Sequence, residues 1–168
     1  MRKKYDEPMF VNVTACDSQC AEKETLKEIQ KLCDDQNFAV LATQGDGQPY
    51  TSLISFSVND SLTKLYFSTP SQTRKFNLLE KNHLVSVLID NRSDLPTGLN
   101  QISGLTITGT AKVLSDEDQI KKASVILLDK HPYLQRFIQS STTKIIEVSA
   151  EHLYYVRRFQ EVFEWSPR

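Results

Sequence analysis

The stretch FAVLATQGDGQPYTSLISFSV at 38–58, continued by LTKLYFSTPSQTRKFNLLEKN at 62–82 and HLVSVLI at 83–89, decides how this chain folds. Residues 38–43 form a short, almost wholly apolar run, and Gly45-Asp46-Gly47 supplies the positive-φ residues of a hairpin before Pro49 opens the next strand. From 50 to 58, Tyr50, Ser52, Ile54, Phe56 and Val58 share one face, and Thr51, Leu53, Ser55 and Ser57 share the other. Asn59-Asp60 turns the chain into a third strand over 62–69, where Leu65 and Phe67 oppose Lys64 and Tyr66, so at least one face is covered. Helical spacing follows in Phe76 and Leu79, predicting a helix over 71–82, and 83–90 returns to strand with Val85, Val87 and Ile89.

Outward from this stretch the signals are weaker. Residues 1–20 mix charge, Pro8 and short apolar islands such as Met9-Phe10-Val11, and are expected to be an N-terminal arm. Residues 21–168 are expected to be one domain. Its first helix, over 21–35, carries Leu26, Ile29 and Cys33 at helical spacing with Leu32 broadening the stripe, and would cover an open end of a β core. Residues 91–104, rich in Asn, Ser, Asp, Pro and Gly, predict a long excursion. A Thr-rich strand over 104–114 carries Gly109, the mark of a bend or bulge. Ser115 is placed to cap the next helix, with Asp116, Glu117 and Asp118 complementing its dipole. That helix should end near His131-Pro132, a short one should follow over 133–138, and a last long strand should cover 143–156. Six strands, two or three helices and no regular βαβ alternation predict a mainly β fold, an antiparallel barrel with flanking helices.

At 168 residues the chain suits a single core, and a formal net charge of −1 gives no global field to draw it onto nucleic acid or an anionic membrane. No apolar run approaches a membrane span, so a soluble protein is expected. The three cysteines, Cys16, Cys20 and Cys33, follow no apolar leader, which favours a cytoplasmic location. No third and fourth ligands accompany Cys16 and Cys20 at zinc spacing, so no metal is expected.

The chemistry concentrates after the third strand. Arg74 and Lys75 stand in the first turns of the helix expected from Ser71, where the macrodipole is positive and cations are unfavourable. A phosphate held by both, by the hydroxyls of Ser68, Thr69 and Thr73 and by helix-start amides would resolve that conflict. The plainer reading is two solvated helix residues. The strand context favours the phosphate, because Tyr50, Thr51, Ser52, Leu53 and Ile54, with the strand end at 65–69, offer a surface for a planar ring with a phosphate tail. No Walker or Rossmann glycine pattern competes for the role.

The run F-A-V-L-A-T…G-x-P-Y, then L-Y-F-S-T…T-R-K-F-N-L-L, then V-S-V-L-I, resembles the pyridoxamine 5′-phosphate oxidase-like FMN-binding split-barrel superfamily over roughly residues 25–155. The resemblance implies a six-stranded split barrel that forms a homodimer, with two FMN molecules in grooves between the subunits. It implies that Arg74 and Lys75 are the phosphate-binding pair, that Phe67, Ser68 and Thr69 run beside the flavin, and that the backbone from Tyr50 to Ile54 contacts the ring. Thr73 and Asn77, in the same T-R-K-F-N motif, complete the implied cofactor-binding set.

Two positions depart from the family pattern. Tyr50 stands where many members carry an Arg after the Pro, and the C-terminal YYVRRFQEVFEWSPR lacks the Arg and His residues with which the pyridoxal-phosphate-forming oxidases hold substrate. Vitamin B6 oxidation is therefore not expected. The aromatic tail, Tyr154, Tyr155, Phe159, Phe163 and Trp165 beside Arg157 and Arg158, is read first as an edge strand and dimer packing. Its sharper role would be a wall over the partner subunit's flavin. His83 and His152 are read as structural. The leading expectation is an FMN-dependent oxidoreductase with a small-molecule substrate and no side chain assigned to catalysis. The alternative is a non-enzymatic split-barrel module that binds haem, a deazaflavin or another planar ligand.

Overall fold

Alternating burial sets the first hairpin in this computed structural model, which describes residues 18–45, 47–92, 101–158 and 161–167. Strand β1 (Phe38–Gln44) buries Ala39, Leu41 and Thr43 and turns Phe38, Val40 and Ala42 outward. It pairs antiparallel with β2 (Pro49–Val58), from Phe38 opposite Ser55 to Gln44 opposite Pro49. Gly47 takes φ +82° in the connecting turn, the left-handed conformation that the Gly-Asp-Gly sequence predicts; Asp46 lies outside the described residues.

Strand β3 (Lys64–Pro70) then makes the decisive switch. It bonds β2 only where Phe56, Ser57 and Val58 face Phe67, Tyr66 and Leu65. Along its other edge it pairs with β6 (Thr143–Arg157) over its whole length, from Lys64 opposite Ser149 to Pro70 opposite Thr143. With β4 (Leu84–Asp90) and β5 (Gly104–Val113), the order β3-β2-β1-β4-β5-β6 closes on itself through β3 and β6, a six-stranded antiparallel barrel. Its interior is apolar, with Leu41, Phe56, Leu65, Phe67, Val87, Ile89, Leu105, Ile107, Val148 and Leu153 packed together. The β5–β6 register shifts between Thr108 and Gly109, the bulge expected there, and a Cβ on Gly109 would sit 2.0 Å from the Ser149 carbonyl oxygen.

Several local expectations are corrected. The first helix, α1 (Ser18–Asp35), begins within the segment assigned to the arm and presses Ile29, Leu32 and Cys33 onto the core; residues 1–17 of that arm, with Cys16, lie outside the described residues. Helix α2 (Arg74–Lys81) starts three residues after Ser71, because Thr73, extended at φ −87° and ψ 152°, is its cap and accepts from the Phe76 amide at 3.4 Å. Helix α3 (Glu117–Lys130) is capped by Asp116 and not Ser115, since the Asp116 carboxylate accepts from the Gln119 amide three residues on, at 2.9 Å. The third strand, expected to be covered on at least one face, is covered on both where Tyr66 joins Leu114, Ala123, Leu127 and Ile145 in a second apolar cluster under α3.

A 3₁₀ turn (Pro132–Leu134) and the short α4 (Gln135–Ile138) lead into β6. A seventh strand, β7 (Glu161–Trp165), lies outside the barrel ring as an edge strand on β6, pairing Leu153 with Trp165 and Arg157 with Glu161. It realises the edge-strand reading of the tail, with Phe163 and Trp165 packed against the core and Tyr155 buried; Phe159 lies outside the described residues. Of the expected excursion, residues 93–100 lie outside them as well. No helix among the described residues is long and apolar enough to cross a membrane.

Candidate functional site

Upstream of Phe56, β2 is bonded in the sheet along one edge only, to β1, because β3 has turned away to β6. The start of α2 sits at this opening. Lys75 spans it, its Nζ donating to the Leu53 carbonyl at 3.0 Å. The Arg74 guanidinium lies over the Tyr50 ring, 4.9 Å from its centroid, so the residue that departs from the family pattern orients one member of the basic pair. Neither cation pairs with a carboxylate among the described residues. Lys75 is half-buried, and that burial pushes its ammonium below the ordinary lysine value.

The other expected site residues divide by position. Thr51 is exposed, and Leu53, also exposed, contributes its carbonyl to Lys75. Ser52 carries a buried Oγ with no partner among the described residues. Ile54 and Phe67 are buried in the barrel core, which leaves only their backbones available to a ligand. Ser68 is half-buried and Asn77 exposed. The hydroxyls of Thr69 and Thr73 are engaged with each other and with the helix start. Thr73 Oγ1 donates to the Pro70 carbonyl at 2.9 Å, accepts from the Phe76 amide and lies 3.0 Å from Thr69 Oγ1. With the Thr73 proton on Pro70, Thr69 donates to Thr73, and both protons are used inside the cap. These two residues hold the helix start in place, leaving Arg74 and Lys75 as the charged donors.

This donor set suits a phosphate monoester carrying a planar ring. It has a guanidinium fork, a partly desolvated ammonium, no competing carboxylate, and a strand with an open edge beside them. The sequence reading missed an apolar face that adjoins the set. Phe38, Leu53 and Leu84 are 54%, 64% and 63% exposed, and Leu88 is exposed as well. The register places Leu53, Val40 and Leu88 in one row across β2, β1 and β4. The signal was present: an almost wholly apolar run at 38–43 implies cover on both faces of β1, yet the chain itself covers one.

Comparison of the sequence with curated proteins gives no significant match. Among solved structures, the heme binding protein from Mycobacterium smegmatis superposes with a TM-score of 0.75 at 15% identity, over 84% of this chain and 57% of that one. The chain thus spans little more than half the length of that relative. A protein related to general stress protein 26, of the pyridoxinephosphate oxidase family, from Clostridium acetobutylicum gives 0.65 at 21% identity, over 86% and 95% of the two chains. The General Stress Protein 26 from Bacillus anthracis gives 0.64 at 20%, over 84% and 99%. At these identities the likeness establishes the split-barrel fold. The sequence profile described as pyridoxamine 5′-phosphate oxidase matches residues 25–157, the segment from within α1 to the end of β6 that builds the barrel and carries both cations, and the chain belongs to that family.

Proposed function

We propose that this protein is an FMN-binding flavoprotein that acts as a homodimer and moves electrons between a reduced donor and a small acceptor in the cytoplasm. The observation that carries the reading is the Arg74–Lys75 pair, two cations without a carboxylate partner among the described residues, at a helix start beside the open edge of β2. Arg74 would hold the phosphate through its fork and Lys75 as a point charge, while the Tyr50–Ile54 backbone would lie along the ring. Bound flavin supplies the redox chemistry, its ring accepting and returning electrons. The protein's part is to orient that ring and neutralise its phosphate.

The outward row of Leu53, half-buried Val40 and Leu88, with Phe38 and Leu84 nearby, is the surface a second copy would cover. Because the Leu53 carbonyl is also the acceptor for Lys75, a partner seated there would wall the phosphate site. The absorbance spectrum of the purified protein and of its heat-released supernatant tests the cofactor. Flavin bands near ~450 nm are expected, and a colourless protein that takes up no added FMN would overturn the reading. The double change Arg74→Ala and Lys75→Ala should weaken FMN binding at least ~10-fold through loss of charge-assisted contacts. Light scattering should give a dimer; full flavin occupancy in a monomer would remove the intersubunit site.

A second reading, a module for haem or another planar ligand, is favoured by the fold likeness to a protein described as heme-binding. His152 is one candidate ligand: it is exposed, and its Nδ1 lies 2.9 Å from Ser166 Oγ, so Nε2 would be the ligating atom. A Soret band in the same spectrum would select it.

A further inference from the structure

Tyr50 and Arg74 come from two different elements at the split, and each backbone is anchored by its own element. Tyr50 stands opposite Thr43 in the β1–β2 register, and the buried Thr43 donates its Oγ1 to the Tyr50 carbonyl at 3.3 Å. Arg74 is the first residue of α2, which Thr73 caps and which buries Phe76, Leu78 and Leu79. Between these anchors the Arg74 guanidinium rests on the Tyr50 ring, 4.9 Å from its centroid. Arg74 is otherwise exposed, and its guanidinium makes no hydrogen bond or ion pair among the described residues.

An aromatic face orients a guanidinium without consuming what an anion needs. A carboxylate in its place would neutralise the charge and occupy the N–H fork, whereas a ring attracts the cation through its quadrupole and leaves charge and fork uncommitted. A long cationic side chain held in this way also loses less rotamer freedom when a ligand arrives. We propose that Tyr50 is a positioning residue that sets the ligand preference of this site: by holding Arg74 at the opening, it makes the site favour the phosphorylated flavin, FMN, over riboflavin. This role rests on the FMN reading above, and it requires no contact between the Tyr50 side chain and the ligand.

The test is a set of fluorescence titrations of the full chain with FMN and with riboflavin, which has no phosphate. Tyr50→Leu should weaken FMN binding at least ~5-fold, the loss of a prepositioned cation, and riboflavin binding by less than ~2-fold. Tyr50→Phe keeps the ring and should recover most of the loss. In an Arg74→Ala background, Tyr50→Leu should weaken FMN no further, because the two residues act as one unit. Tyr50→Gln gives a second variant without the ring, and amide NMR spectra report whether each protein is folded. FMN losses that add across the two positions, an equal loss of riboflavin, or a Tyr50→Phe as weak as Tyr50→Leu would overturn the proposal and leave the FMN reading standing. A parent protein that takes up no FMN removes that reading instead, and the same variants are then titrated with inorganic phosphate by NMR. Saturable phosphate binding with the same coupling keeps the role of Tyr50; no binding, or additive effects, overturns it.

Discussion

Lys130 and Lys75 are both partly buried and both donate to backbone carbonyls, yet the structure finishes one environment and leaves the other open. At the seam of α1 and α3, Lys130 Nζ donates to Cys33 O at 2.5 Å and Gln36 O at 2.6 Å and lies 4.0 Å from the Phe56 ring centroid. At the split, Lys75 has a single acceptor, Leu53 O. Burial lowers the pKa of each ammonium; at Lys130 the neighbouring Cys33, Asp34 and Asp35 oppose the shift, while at Lys75 nothing does. The seam is closed in other respects. His131 is fully buried, its Nε2 2.8 Å from Phe56 O and its Nδ1 2.9 Å from the Tyr133 hydroxyl. Burial pushes the Cys33 thiol up to about 12, so it is inert. A cation held by two carbonyls and a ring face is structural, and one left short of partners beside an open strand edge is suited to an anion.

The sharpest way to break this comparison is Lys130→Met. It should cost about 2 kcal/mol in urea unfolding, because two carbonyls lose their donor; a change within ~0.5 kcal/mol, the scale of an ordinary surface substitution, would remove Lys130 from the structural class.

His131 gives the next largest effect. Its pKa is lowered by burial first, with Lys130 adding to the shift and the Phe56 hydrogen bond opposing it. The unfolded chain therefore takes up a proton before the folded one does, so stability is complete above the unfolded histidine value and falls as pH drops below it. The slope should be positive and no steeper than the one-proton limit of ~1.4 kcal/mol per pH unit. Chemical denaturation between pH 7.5 and 5.5, roughly the window around the ordinary histidine pKa, compared with the same series on His131→Gln, reads it; identical slopes in the two proteins would refute the assignment.

Lys75→Met should leave stability within about 0.5 kcal/mol of the parent, since a single half-exposed contact is lost, while weakening FMN binding. The smallest effect sharpens the same contrast. Since the Lys75 pKa lies below 10.5, FMN affinity should fall at lower alkaline pH than an ordinary lysine would allow, as the ammonium deprotonates. Lys75→Arg should move that alkaline limb upward, because guanidinium keeps its charge; superimposable limbs in fluorescence titrations would show that Lys75 does not carry the phosphate.

How much of this was legible depended on whether the deciding contact was local. The Gly47 turn, the alternation from Tyr50 through Phe56 and the Gly109 bulge are short-range consequences of φ preference and side-chain period. Arg74 and Lys75 stood out because their own helix makes them unfavourable there. The engagement of the Thr69 and Thr73 hydroxyls was not legible, since composition shows that a hydroxyl exists but not that a cap uses it. The same limit hid Lys130, which reads as a last-turn helix lysine until α1 is packed beside it.

By itself the sequence determined the barrel's parts and their order, a family match over residues 25–157, and the presence of a basic pair before Phe76. Tertiary structure decided the rest. It closed β3 onto β6 across more than seventy positions of sequence and opened the β2 edge that Lys75 spans. It also left Leu53, Val40 and Leu88 outward in one row. Period and propensity act through neighbouring residues, whereas which edge is paired and which charge is satisfied depend on strands and helices that meet only once the chain has folded.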